Sequence, residues 1–399
     1  MAHAVGAGLK KTVATILAGA LLAAGAASAP PGEPPLAARS APNPVDPEIP
    51  IALLIDQSSG QTLFAREADR RFLPASVTKV MTAYTAFDLV DRGKLSLDQV
   101  VEIDQALEDE WGGEGSTLFL EAGDRVTIGQ LLLGVTTVSA NDGAVALGRA
   151  AAGSDAAWLA LMNGNAAALG MHDSHFGTAN GYPDEGRTWT SARDLALLAE
   201  VMTTRHRDLY KRFFGHKGLR YNGIAQDNHD PITGVVDGAD GIKTGYTRQA
   251  GFTFVGSAER NGRRLTLVIA GAPSAGIRNQ VARKLMEWGF ENFTSRKLLD
   301  PGAAIGEAAV QSGAALSVPL RTQAAVFANV PRTGADGVEL TVRYRGPVEA
   351  PIAEGDRVAT LSIAISGQEP HEVTLVAADD VPRANAWQRL RNGVVGLFR

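Results

Sequence analysis

The chain has 399 residues, a formal net charge of −5, ordinary globular proportions of 45% hydrophobic and 20% charged residues, and no cysteine. That length suits about two to three domains, and the acidic balance argues against nucleic acid as a partner. Without cysteine there is no disulfide framework, thiolate zinc site or cysteine nucleophile. The seven histidines show no His-Glu-x-x-His or similar spacing, so neither a metal nor a cofactor is expected.

At the N-terminus, Lys10 and Lys11 precede an apolar run from Val13 to Ala26, followed by small residues at Ala27, Ser28 and Ala29. This is the pattern of a signal peptide over residues 1–29. Its removal would take the charge to about −7. Residues 30–47 are proline-rich without apolar periodicity and read as an extended linker.

A domain is expected over residues 48–293. It opens on a hairpin, Ile51 to Ile55 and Thr62 to Phe64, across the turn Asp56 to Gln61. A helix is predicted from Ser76 to Asp91, with Gly93 just past its end. Further helices are predicted over 128–135, 142–151, 155–169 and 191–203. After Lys211 the texture turns to strand, and Gly251 to Glu259 with Arg264 to Ala270 flank Asn261-Gly262, a strong hairpin signal. An amphipathic helix from Arg278 to Phe293 closes the domain. Strands at both ends with helices between imply an α+β domain, an antiparallel sheet flanked by helices. Residues 294–383 show short alternating strands punctuated by Gly and Pro, a small all-β domain. Residues 384–399 place Trp387, Leu390, Val394, Leu397 and Phe398 on one helical face and Arg389, Arg391, Asn392 and Arg399 on the other. Such a helix either lies in a membrane interface or packs on its own domain.

Ser76-Val77-Thr78-Lys79 is the sole Ser-x-x-Lys of the chain and opens an apolar helix. A serine hydroxyl needs a base within hydrogen-bonding reach, and residues three apart share a helix face. A helix start also leaves backbone N–H groups free to hold an oxyanion. To act as base, Lys79 must be neutral, which burial and a second cation would favour. Ser139-Ala140-Asn141 and Lys243-Thr244-Gly245 follow in order, each again the sole example of its pattern. The three elements together are the signature of penicillin-recognising serine acyl-transferases.

With these motifs, the chain resembles the D-alanyl-D-alanine carboxypeptidases, low-molecular-mass penicillin-binding proteins of the serine DD-peptidase family. Ser191 to Ala196, Tyr221-Asn222-Gly223 and Asp240 to Thr247 also resemble family segments. The resemblance implies the serine β-lactamase/DD-peptidase-like fold, then a β-rich domain and a membrane-anchoring helix. It implies a periplasmic enzyme attached to the outer face of the cytoplasmic membrane. Its substrate would be the peptidoglycan stem pentapeptide and its covalent inhibitors β-lactams. Ser76 would attack the D-alanyl carbonyl with Lys79 as base. Ser139 would relay a proton and Asn141 orient Lys79 and the substrate amide. Lys243 and Thr244 would bind the terminal carboxylate, Gly245 would let the strand approach the substrate, and Tyr246, where many relatives carry His, would give a backbone N–H to the oxyanion hole beside that of Ser76.

Other residues read structurally: Arg193 and Asp194 as a capping sequence after Ser191, His175 and His229 as lone histidines, Glu114 as a loop charge, and Arg248 as either a loop charge or a carboxylate ligand. An endopeptidase could use the same site. A β-lactamase would need a deacylating Glu, which Met171 to Phe176 does not offer. A non-catalytic peptidoglycan-binding scaffold would have no need of the full Ser-Lys-Ser-Asn-Lys set.

Overall fold

The computed structural model describes residues 13–16, 43–332, 337–365 and 368–396. The expected signal peptide and most of the expected linker lie outside these residues. Val13–Ile16 is a short strand paired antiparallel with Val338–Arg343. The chain divides into two compact units, one of residues 42–58 and 62–291, the other of residues 292–399 with 59–61 and the N-terminal segment.

The first unit is built on five strands: β1 (Ile51–Asp56), β2 (Gln61–Arg66), β3 (Ala239–Thr247), β4 (Gly251–Arg260) and β5 (Arg263–Ala272), in the order β2-β1-β5-β4-β3. The pairs β1/β5, β5/β4 and β4/β3 are antiparallel. Asn261 and Gly262 both take positive φ, at 52° and 77°, as the predicted tight hairpin requires. Residues 51–54 are buried without interruption because both faces of the sheet are covered. Leu53 and Val268 join the helical core. Leu54 and Leu265 face helix α8 (Ala275–Asn292), where Gly289 leaves room for both.

The helices before it are α1 (Lys79–Asp91), α2 (Gln105–Trp111), α3 (Ile128–Leu133), α4 (Asn141–Ala152), α5 (Asp155–Leu169), α6 (Ala192–Thr204) and α7 (Arg207–Phe213). From Lys79 to Asp88 every residue of α1 is buried, the mark of a helix surrounded by others. Two predicted helices are modified at the ends that carry motifs. The expected Ser76–Asp91 helix begins with a tighter 3-10 turn, Ala75–Thr78. The helix expected over 128–135 changes after Leu133 into a π-turn, Gly134–Val138, and stops at Ser139 in the left-handed region, φ 65°. Such one-turn irregularities re-aim the residues that follow them. Lys211 lies within α7, so strand texture starts later than expected, at Gly218–Tyr221.

In the second unit, seven strands form one sheet, six of them in its C-terminal part. Ser317–Thr322 alternates between half-buried and buried residues, as a sheet with one face on a core demands. Val318, Leu320, Leu361, Ile363 and Leu375 fill that core. Helix α9 (Ala386–Gly396) ends the described chain.

Helices α4 and α5 turn back on one another through Gly153, at φ 81°, and Ser154, whose hydroxyl caps Ala157 N–H. Their close approach rests on Gly148, where a Cβ would meet Trp158 ring carbons at 2.7 and 2.8 Å. In an exposed helix, Gly→Ala stabilises by up to about 1 kcal/mol. Here overpacking reverses the sign, and Gly148→Ala should destabilise by about 1–3 kcal/mol, read as a lower urea midpoint at unchanged slope.

Candidate active site

The turn that carries Ser76, the expected nucleophile, is placed by backbone geometry. Ala75 has φ 50°, and Val77 N–H donates to Pro74 O at 3.2 Å. This leaves Ser76 half-buried at the wall of a cavity of about 790 Å³. One helical turn on, Lys79 is 1% exposed. Its Nζ lies 3.0 Å from Ser76 Oγ, 2.7 Å from Asn141 Oδ1 and 2.7 Å from the Asn180 carbonyl oxygen. A neutral amine has two N–H groups and one lone pair. The two amide oxygens take the N–H groups, and the lone pair is left for the Ser76 hydroxyl.

The surroundings favour that neutral form. Burial holds Lys79 well below the usual lysine range, and the nearby Lys243 charge pushes the same way against an opposing pull from Asp142. The Asp142 carboxylate is engaged elsewhere, accepting from the N–H groups of Leu118, Leu120 and Gly143. Lys243 is itself buried and brought down to about 7, by burial first and then by Arg278, with Asp230 opposing.

Of the residues expected at the site, Ser76, Ser139, Asn141, Thr244, Gly245 and Tyr246 line the cavity. Lys79 and Lys243 sit behind that wall, and Lys243 Nζ donates to Thr244 O at 2.9 Å. Gly245 answers a tighter constraint than substrate approach. A Cβ there would lie 2.4 Å from Thr253 Oγ1, 2.6 Å from Pro74 O and 3.1 Å from Ser76 N. Strand β3 is thus pressed against the nucleophile turn, and Thr253 Oγ1 donates to Pro74 O across the same seam at 3.1 Å. Tyr246 stacks on Phe252 with its side chain 55% exposed.

Three participants escape a reading of the sequence. Arg278 on α8 lines the cavity while only 5% exposed. Its one signal is position, since it falls in step with the inward Val281, Ala282 and Leu285. The Asn180 carbonyl belongs to a segment set by Gly181, where a Cβ would lie 1.9 Å from Ala75 O. Backbone carbonyls leave no trace in residue type. Glu114 is more than a loop charge: its carbonyl accepts from Asn141 Nδ2 at 2.8 Å and its carboxylate from the Tyr182 hydroxyl at 2.8 Å.

The residues expected to be structural divide between caps, ion pairs and the cavity wall. Ser191 Oγ accepts from Asp194 N–H at 3.1 Å as a helix cap, and Arg193 pairs with Asp69. His175 stacks on Trp189, whereas His229 and Arg248 line the cavity. Among the described residues, no group of His, Asp and Glu could hold a metal ion.

Comparison with known proteins places this geometry. The D-alanyl-D-alanine carboxypeptidase family matches residues 38–274, and the penicillin-binding protein 5 C-terminal domain matches residues 293–383. The chain is 31% identical over 360 residues to the D-alanyl-D-alanine carboxypeptidase DacD of Salmonella typhimurium, covering 88% of this chain and 90% of the relative. Penicillin-binding protein 5 from Haemophilus influenzae has a similar structure, with a TM-score of 0.73 at 30% identity over 84% of this chain and 98% of that one. Penicillin-binding protein D2 from Listeria monocytogenes, in its ampicillin-bound form, aligns with a TM-score of 0.55 at 28% identity, over 61% of this chain and 98% of its own. With Ser76, the buried Lys79 and the cavity in one place, the chain belongs to the D-alanyl-D-alanine carboxypeptidase family of serine hydrolases.

Proposed function

We propose that this protein removes the terminal D-alanine from peptidoglycan stem peptides through an acyl-enzyme on Ser76, and that β-lactams acylate the same serine. The observation that carries the reading is the 3.0 Å approach of Lys79 Nζ to Ser76 Oγ, made by an amine whose hold on its proton burial weakens. Ser76 Oγ attacks the carbonyl of the penultimate D-alanine and its proton passes to Lys79. The oxyanion is held by the N–H groups of Ser76 and Tyr246, a reading supported by the contact of Gly245 with the nucleophile turn. Ser139 relays a proton to the departing amine, and Asn141 orients Lys79. Water then attacks the ester, with Lys79 again as base. The ampicillin-bound relative supports β-lactams as inhibitors.

The cationic end of the cavity, with Thr244 and Arg278 at the wall and Lys243 behind it, suits the free carboxylate of the terminal D-alanine. That preference supports carboxypeptidase action. A periplasmic location follows from a peptidoglycan substrate.

Helix α9 supports attachment to the membrane surface. Trp387 and Leu390 are 74% and 63% exposed. Its polar side is tied down, Arg391 to Ala314 O and Asn392 to Gly313 O, both at 3.0 Å. Among the described residues, no helix is long and apolar enough to cross a membrane, so the attachment would be interfacial.

Penicillin should leave a covalent adduct on the wild-type protein by intact mass and none on Ser76→Ala; a Lys-D-Ala-D-Ala peptide should lose one D-alanine. Lys79→Ala should slow acylation by roughly 10²–10⁴-fold, the usual contribution of a positioned base. Because Lys243 loses its charge above about pH 7, KM for a peptide with a free C-terminal carboxylate should rise severalfold from pH 6 to 9. The affinity of the matching C-terminal amide should stay level. For the membrane, Trp387→Ser with Leu390→Ser should cut co-sedimentation with anionic vesicles while leaving penicillin acylation intact.

A further inference from the structure

The buried end of Lys79 belongs to a closed circuit of hydrogen bonds. Lys79 Nζ donates to Asn141 Oδ1 at 2.7 Å, and Asn141 Nδ2 donates to Glu114 O at 2.8 Å. The Glu114 carboxylate accepts from the Tyr182 hydroxyl at 2.8 Å. Tyr182 N–H donates to Asn180 Oδ1 at 3.0 Å, and the Asn180 carbonyl accepts from Lys79 Nζ at 2.7 Å. Every link but one is wholly or partly buried. The exception is the Tyr182–Glu114 bond at the cavity mouth.

That exposed link joins the two loops that hold the base. The loop of Glu114 carries Gly115 and Ser116, and the second loop runs from Asn180 to Pro183; Gly115, Ser116, Tyr182 and Pro183 all line the cavity. Neither loop has another side-chain bond to the other among those described. The Tyr182 ring is set edge-on by Trp111, centroids 5.4 Å apart and planes at 87°. Its hydroxyl keeps its proton, because the bond to Glu114 raises it above the ordinary tyrosine range. The contact is therefore a steady neutral donor to a charged acceptor, the stronger kind of hydrogen bond.

We propose that Tyr182 and Glu114 are positioning residues, a latch across the cavity mouth that keeps the two acceptors of Lys79 in register and water away from its amine. The proposal rests on Lys79 as the base for Ser76. The charged groups acting on Lys79 are Lys243 from β3 and Asp142 from α4, with Arg278 from α8 and Asp230 acting through Lys243. If the latch opens, the loops part, water reaches the amine, and the lysine regains its proton affinity. The result is a base that is neutral only at higher pH.

The test is the second-order rate of acylation by a fluorescent penicillin between pH 5 and 10. Tyr182→Phe, which keeps the ring, and Glu114→Ala should each slow acylation at pH 7 by about three- to tenfold, the worth of one hydrogen bond. Both should move the rising limb of the profile to higher pH. Glu114→Gln, whose amide oxygen still accepts, should restore the wild-type midpoint. An unmoved midpoint in Tyr182→Phe, or a uniform loss at every pH, would overturn the latch; so would Glu114→Gln behaving like Glu114→Ala. Thermal melts confirm that the variants compared are folded. Failure of the base reading would appear separately, as wild-type acylation rates in Lys79→Ala.

Discussion

Everything around the active site follows from keeping one lysine amine dry. Lys79 is buried at the start of a helix with no carboxylate bonded to it, and an unpaired buried ammonium is costly. The neutral amine is the form that fits: two carbonyl-type oxygens accept its protons and the lone pair is left to the serine. Removing water achieves two things together. It weakens the hold of Lys79 on its proton, and it makes each remaining dipole count for more.

Dryness requires close backbone approach from several sides, which the local irregularities supply. The turn before α1 has a left-handed residue at Ala75, and the π-turn after α3 ends in another at Ser139. Gly181 and Gly245 bring a loop and a strand against the nucleophile turn, where side chains would collide with Ala75 O, Pro74 O and Thr253. Strained or rare backbone is kept where the surrounding structure holds it, and here it surrounds Ser76. The cations are graded as well. Lys243 sits behind the wall and weakens the hold of Lys79 on its proton, while Arg278 stands at the cavity itself.

Much of this was legible in advance. The Asn261-Gly262 hairpin and the helices α1 and α5 follow from turn chemistry and apolar period, and the structure contains all of them. The three motifs point to the family, which the match over residues 38–274 shows, and they propose Ser76 as nucleophile with Lys79 as its base. Helix ends were less legible: the 3-10 turn at Ala75–Thr78 and the π-turn at Gly134–Val138 replace regular turns that apolar periodicity predicts. Periodicity reports which face is buried, and a one-residue change of winding at a helix end leaves that face unaltered.

Residue identity alone specifies the chemistry on offer: one serine with a lysine three residues on, a serine and asparagine after a helix, a lysine on a strand, and no thiol. It does so because nucleophiles and bases are residue types, and their spacing survives as text. How those groups meet is set by the tertiary structure. The Asn180 carbonyl, the Glu114 carbonyl and carboxylate, the Tyr182 hydroxyl and the inward Arg278 come from distant segments, and their roles depend on distance and exclusion of water. Those quantities exist only once the chain has closed around Lys79.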